Sequence, residues 1–334
     1  ENMEKIMTDQ HTFDWSNLAF ASKKPLKNLR AVFIAAPREI SEKRFTQLVK
    51  ELLPKTNVVL GIAKEPYVEG FEQQLQFKTL EQATVQKVLD KVNSSVSKNK
   101  IYTLTCFQRE LPHIVEKAGF KKVLFVNGSW KYAFHNLPIF YTMVSSRIPY
   151  QLISPFYDEA EARQYEKSIK KSLNNHLTKE LNVSSWSESG LMSLVSDVAK
   201  QSFDYNFQTG VLLAKKKSGG YNVLTTAHNK VVPYETYALH NGALRETNFS
   251  PPNDLNFYDT VHAEVELILA ALRDKTNLKS TSLFINLLPC PTCARMLCDT
   301  DIAEVVYQND HSDGYAIALL QKAGKKVRRI ITKT

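Results

Sequence analysis

No stretch of about 18 consecutive apolar residues occurs in the 334-residue chain, which argues against a membrane-spanning helix. The early residues lack the apolar core of an export signal as well, carrying Glu1, Glu4, Asp9 and Asp14 instead. Cysteine is scarce. Of only four, Cys290, Cys293 and Cys298 fall within nine residues while Cys106 stands far away, a pattern that suits metal ligation better than a disulfide framework and implies a reduced, cytoplasmic setting with no membrane partner. Without secretion the sequons at Asn127, Asn182 and Asn248 carry no meaning. Acidic residues are the minority charge, 34 against 43 Lys and Arg, and the net +9 favours an anionic partner such as a nucleotide or nucleic acid. The lysines are spread widely, so a solubilising surface explains the excess equally well. The denser groups are Lys215 to Lys217 and the set Lys322, Lys325, Lys326, Arg328 and Arg329.

What is present reads as a folded globular chain, with 43% hydrophobic and 23% charged residues. Its length suits two domains of roughly 150 residues. In the first, short apolar runs at Leu29 to Ala36, Asn57 to Ile62, Ile101 to Cys106, Lys122 to Val126 and Tyr150 to Ile153 predict strands. Helical stretches lie between them: Ser41 caps one through about Leu53, and others span Leu80 to Val92, Leu111 to Ala118 and Pro138 to Ser145. Such alternation implies a mainly parallel sheet covered on both faces. Asp158 to about Leu181 is polar, with sparse apolar residues at helical spacing, and reads as a linker helix. The second half predicts a helix (Gly190 to Phe203), a hairpin turning at Ser218-Gly219-Gly220, and an irregular stretch to about Tyr258. Helices at His262 to Arg273, Pro291 to Cys298 and Gly314 to Ala323 then alternate with strands at Leu283 to Leu288, Glu304 to Tyr307 and Val327 to Ile331. The helix after His262 is apolar nearly all round, which predicts a sandwiched position.

His262, Cys290 and Cys293 form a donor set suited to tetrahedral Zn(II), and a catalytic zinc site keeps three protein ligands with one position for water. His262 and Cys290 each begin a helix, so the two elements can aim their N-termini at one point, where the dipole favours a thiolate. Glu264 is placed to carry protons. His262-Ala263-Glu264 followed by Pro289-Cys290-Pro291-Thr292-Cys293 resembles the HxE and PCxxC signature of the cytidine deaminase superfamily. The resemblance covers roughly residues 185 to 331 and implies one zinc ion per chain, hydrolytic deamination of a nucleobase, and an α/β/α domain with parallel fourth and fifth strands. It further implies substrate contacts at Asn229, Ala263, Leu288 and Pro289, although an Ala-His-Asn turn could need Asn229 only for its backbone. Leu288 departs from the glutamate usual in tRNA adenosine deaminases. Cys298 reads best as a buried thiol, and His228, His240 and His311 as loop or surface histidines, with His240 and His311 as candidates for the pocket mouth.

The halves also invite comparison. Phe77 to Ala83 lines up with Tyr258 to Glu264, and Ile101 to Cys106 with Leu283 to Leu288. The expected organisation is a leader (1–27), a degenerate, inactive deaminase-like domain (28–154) with Glu81 and Ala83 at the catalytic positions, a linker helix (155–183), and a catalytic domain (184–334), giving two three-layer α/β/α domains. The substrate expected first is adenosine or cytidine in RNA or single-stranded DNA, including tRNA. A free nucleotide, as in deoxycytidylate deaminases, is the alternative, and an inactive zinc-stabilised binding subunit the third reading. Tyr234, Tyr237, Phe249, Phe257 and Tyr258 are available for stacking or for packing. Homo-oligomers are usual in the superfamily and are expected here.

Overall fold

An apolar run can form a strand buried on both faces only if helices cover both sides of its sheet, and the first half of the chain supplies them in strict alternation. The computed structural model describes residues 30–181, 183–251, 254, 256–310 and 314–331; the leader 1–27, Asn182 and His311 lie outside these. Strands β1 (Ala31–Ala35), β2 (Asn57–Ala63), β3 (Ile101–Cys106), β4 (Lys122–Val126) and β5 (Tyr150–Ile153) pair in the order β3-β2-β1-β4-β5, all parallel. All five residues of β1, at the centre, are buried. Four helices connect the strands: α1 (Glu42–Leu52), α2 (Gln82–Asn93), α3 (Leu111–Ala118) and α4 (Pro138–Ser145). The Ser41 hydroxyl accepts the Arg44 N–H to cap α1, whose Phe45, Leu48 and Val49 recur at the spacing that turns one stripe to the sheet.

Helix α5 (Glu159–Leu181) leads into the second half, where α6 (Glu188–Ala199) and the hairpin β6 (Gly210–Lys217) and β7 (Gly220–His228) follow. A short β8 (Lys230–Val231) precedes two small helices, α7 (Tyr237–Asn241) and α8 (Leu244–Thr247), and a short β9 (Thr260–Val261) closes that excursion. Then come α9 (Ala263–Arg273), β10 (Ser282–Leu287), α10 (Pro291–Cys298), β11 (Glu304–Asn309), α11 (Tyr315–Lys322) and β12 (Lys326–Arg329). The sheet order is β12-β11-β10-β6-β7; β6 runs antiparallel to both its neighbours, and β10, β11 and β12 are mutually parallel. The parallel fourth and fifth strands expected for this domain are therefore present. Among the described residues no helix is long and apolar enough to cross a membrane.

Three expectations need correction. The first half does not repeat the second: its opening strand β1 sits at the centre of an all-parallel sheet, whereas β6 and β7 form an antiparallel margin. Ile101–Cys106, matched by sequence to central β10, is an edge strand. Both topologies share the alternation of strand and helix that suggested a copy, and only long-range pairing distinguishes them. The boundaries also differ. One compact unit takes the chain up to Gln164 together with Tyr237–Tyr258, and the other takes Tyr165–Thr236 with Asp259–Thr334. Finally, α9 is not sandwiched. Ala263, Glu264, Leu267 and Ala271 face inward, while Leu269 and Leu272 are 50% and 68% exposed.

Candidate active site

The site of unit 2 is assembled where strands end and helices begin. Strand β7 stops at His228, and the ladder of β8 with β9, pairing Lys230 with Val261 and Val231 with Thr260, sets Asn229 and His262 at its two feet. His262 is the N-cap of α9. After β10, the Leu288 N–H bonds the Asn309 carbonyl at 2.7 Å, and Cys290 becomes the N-cap of α10, with Pro291 at the first helical position where no donor is lost. His262 Nδ1 lies 3.6 Å from Cys290 Sγ and 3.4 Å from Cys293 Sγ, and the ligand atoms of the three residues all fall within 4.8 Å of one another. No other such group occurs among the described residues.

Electrostatics follow from burial and from this crowding. Glu264 is 4% exposed, and burial pushes its carboxyl up to about 7, against the opposing pull of its own backbone N–H and of His262. Hydrogen bonding to Cys290 raises His262, outweighing burial. The Cys293 thiol donates to Cys290 and so lowers Cys290, with His262 and the Cys293 backbone N–H acting in the same sense; the same contact, together with burial, raises Cys293. Of the two sulfurs, Cys290 at the helix N-terminus is the one whose thiolate form these contacts favour.

A polar cradle borders these residues. Asn229 Nδ2 donates to Asp204 Oδ2 at 3.1 Å and to the Phe207 carbonyl at 2.8 Å, and its Oδ1 accepts the Thr209 N–H at 2.9 Å. Asp204 Oδ1 accepts the backbone N–H groups of Asn206 and Phe207, at 2.7 and 3.3 Å. Asn286 Oδ1 accepts the Gly210 N–H at 2.9 Å, while its Nδ2 donates to the Gln208 carbonyl at 3.0 Å. Loop 204–209 is therefore stapled from two sides. Gly210 allows the close packing behind it, since a Cβ there would stand 2.2 Å from the Val195 carbonyl of α6. Asp204 and Asn286 escaped the sequence reading; an Asp whose carboxylate takes the amides two and three residues on is a local turn signal that could have pointed to the first.

The remaining candidates divide. Ala263 and Leu288 are fully buried and their side chains belong to the hydrophobic core, and Pro289 is buried beside them. Cys298, expected to be buried, is half-buried and packs against the same core, its Sγ 3.9 Å from the Leu319 carbonyl. His228 Nε2 lies 3.5 Å from Glu235 Oε2, and Lys170 Nζ is 2.6 Å from Glu235 Oε1. His240 belongs to the other unit, bonded through Nδ1 to Ser154 Oγ at 2.8 Å. Tyr234 is buried, and the Arg245 guanidinium lies over the Tyr258 ring at 4.8 Å.

Comparison with known proteins agrees with this geometry. Residues 185–309 match the family model of the cytidine and deoxycytidylate deaminase zinc-binding region. The deoxycytidylate deaminase of Saccharomyces cerevisiae is 29% identical over 146 residues, covering 43% of this chain and 45% of that enzyme. The human deoxycytidylate deaminase is 26% identical over 145 residues, 40% of this chain and 74% of the enzyme. The dCMP deaminase of cyanophage S-TIM5, solved with dCMP and dUMP, aligns with a TM-score of 0.35 at 18% identity, over 43% of this chain and 96% of that one, a likeness too slight to carry a structural argument. The chain thus spans less than half the length of its yeast relative. Residues 185–309, with His262, Glu264, Cys290 and Cys293 among them, are thus similar to the zinc-binding region of the cytidine and deoxycytidylate deaminases.

Proposed function

We propose that unit 2 hydrolyses the exocyclic amine of a cytosine nucleotide, replacing the C4 amino group by oxygen from water and releasing ammonia. The observation that carries this reading is the buried Glu264 carboxyl beside the convergent donors His262, Cys290 and Cys293. A structural zinc site needs the donors alone; a buried carboxyl beside them is what hydrolysis adds.

The donor set fits Zn(II): one imidazole nitrogen and two sulfurs, half-buried or buried, converge from two helix N-termini, and His262, Cys290 and Cys293 would hold the ion. Zinc held there supplies Lewis acidity toward water. Glu264 takes the proton of the attacking water, passes it to the pyrimidine ring nitrogen, and later delivers a proton to the departing amine. Cys290 and Cys293 carry the negative charge that matches the metal. Asn229, held by Asp204, Phe207 and Thr209, presents the remaining lone pair of its Oδ1 to the nucleotide sugar, and the backbone of Ala263, Leu288 and Pro289 lines the ring pocket.

A free deoxycytidylate-type monomer is favoured over a polymer. The curated relatives bear the name deoxycytidylate deaminase, which supports the monomer. Homo-oligomerisation is supported by α9, whose Val265, Leu269 and Leu272 form an incompletely covered stripe at helical spacing. The deciding experiment is ammonia release by zinc-loaded protein offered cytosine, adenine and guanine nucleosides and nucleotides, pooled tRNA and single-stranded oligonucleotides, with Glu264→Gln as control. Release from dCMP supports the proposal. Release from polymers alone overturns the substrate, and silence throughout with zinc bound overturns the chemistry.

A further inference from the structure

In an open parallel α/β sheet, ligands settle at the carboxyl ends of the strands, where crossovers leave the central strand in opposite directions. In unit 1 that point lies between β1 and β4, and it is filled by the chain itself. Gly128, just after β4 with φ +73°, has no room for a Cβ: it would meet Leu239 Cδ2 of α7 at 2.3 Å and Arg38 Nη1 at 3.0 Å. Arg38, just past β1, is fully buried, with its guanidinium donating to the Gln76 carbonyl. After β5, Ser154 Oγ bonds His240 Nδ1 at 2.8 Å. After β4, Trp130 Nε1 donates to Glu246 Oε1 at 2.5 Å and the Phe134 N–H donates to the same oxygen at 3.2 Å, with Trp130 and Glu246 only 8% and 4% exposed. His135 Nε2 lies 2.9 Å from the Ser250 carbonyl. A buried carboxylate that takes two N–H donors is a committed contact, since removing a donor leaves charge unsolvated.

We propose that the N-terminal unit is a receptor for residues 237–251 of its own chain, and that its grip on them positions the two feet of the excursion, Asn229 and His262. The excursion leaves unit 2 after β8 and returns at β9, and the paired rungs Lys230–Val261 and Val231–Thr260 join its base directly to Asn229 on one side and His262 on the other. The Val232 N–H bonded to the Asp259 carbonyl at 2.9 Å tightens the same base. Freedom gained by the docked segment is taken up by this two-rung ladder and so reaches the site. Trp130 and Glu246 are positioning residues in this scheme. It rests on the reading of Asn229 and His262 as site residues.

The test is amide hydrogen exchange on the full-length, zinc-loaded chain carrying Trp130→Phe, which keeps the ring and removes the donor. Glu246→Gln, which keeps the shape and weakens the acceptor, is run beside it and supplies the reading should the first variant fail to fold. Exchange in 238–250 is expected to rise about tenfold or more, the value of a lost hydrogen bond to a charged group. Exchange in 259–264 rises with it, β10 and β11 keep their protection, zinc stoichiometry is unchanged, and KM for the deaminated nucleotide rises several-fold while kcat changes little. Faster exchange confined to 238–250 with an unchanged KM overturns the coupling, and unchanged exchange in 238–250 overturns the receptor role. The exchange readout needs no substrate, so a wrong substrate assignment removes only the KM arm.

Discussion

At the scale of single residues, the proposed chemistry draws on two carboxylates in opposite environments. Glu264 is buried where the charged form is disfavoured, whereas Asp204 is satisfied by two backbone amides and by Asn229. Replacing Glu264 with glutamine should leave zinc stoichiometry unchanged and lower kcat by about 10² to 10⁴, the usual worth of a general acid–base group; metal analysis beside ammonia release checks both halves. Replacing Asp204 with alanine removes one of the two acceptors of the Asn229 amide and the acceptor of two backbone N–H groups. It should raise KM with zinc retained, as steady-state kinetics on the metal-loaded variant would show. The metal donors and Glu264 were legible in the sequence because they sit in two short motifs whose spacing reports helix starts. Asp204 carries a local turn signal, but that signal does not report its pairing with Asn229, 25 positions away. Glu246 and Trp130, separated by 116 positions, were hidden for the same reason.

Among the elements, local chemistry set boundaries well and pairing poorly. Strand Ile101–Cys106 and helices Leu111–Ala118, Pro138–Ser145 and Pro291–Cys298 lie where apolar runs and start signals place them. The order of strands in the first sheet does not follow from periodicity, which is why an internal copy was expected. The edge strand β12 shows what a specific pairing contributes. Arg328 reaches Glu188 of α6 with two nitrogens, at 2.7 and 3.1 Å, and Glu304 of β11 at 2.7 Å. Its hydrogen bonds hold the Glu188 carboxyl below the usual range, and at Glu304 burial pushes upward but Arg328, Ser282 and Lys326 together bring the carboxyl below it. Folded values lower than unfolded ones make this stabilisation complete above about pH 4.5 and progressively lost as pH falls through the folded values. Arg328→Met should therefore cost about 1–2 kcal/mol near neutrality, discounted for partial exposure. Melting curves should show its deficit against the parent chain shrinking toward about pH 3.

For the whole molecule, two surfaces of different character govern association. The α9 stripe with Leu269 and Leu272 exposed is apolar in a chain whose net charge of +9 otherwise keeps copies apart. Substituting both leucines with lysine should convert an oligomer to a single-chain mass in light scattering, with zinc content unchanged. A single-chain mass for the parent protein would remove the oligomer reading. The other surface is already engaged. Because unit 1 receives a segment of its own chain at the strand ends, the local concentration of that occupant is set by the tether, on the order of millimolar for a short loop. A free nucleotide at micromolar concentration and equal intrinsic affinity would then compete at a disadvantage of about a thousandfold. Occupancy of the crevice is therefore independent of protein concentration: dilution does not empty it.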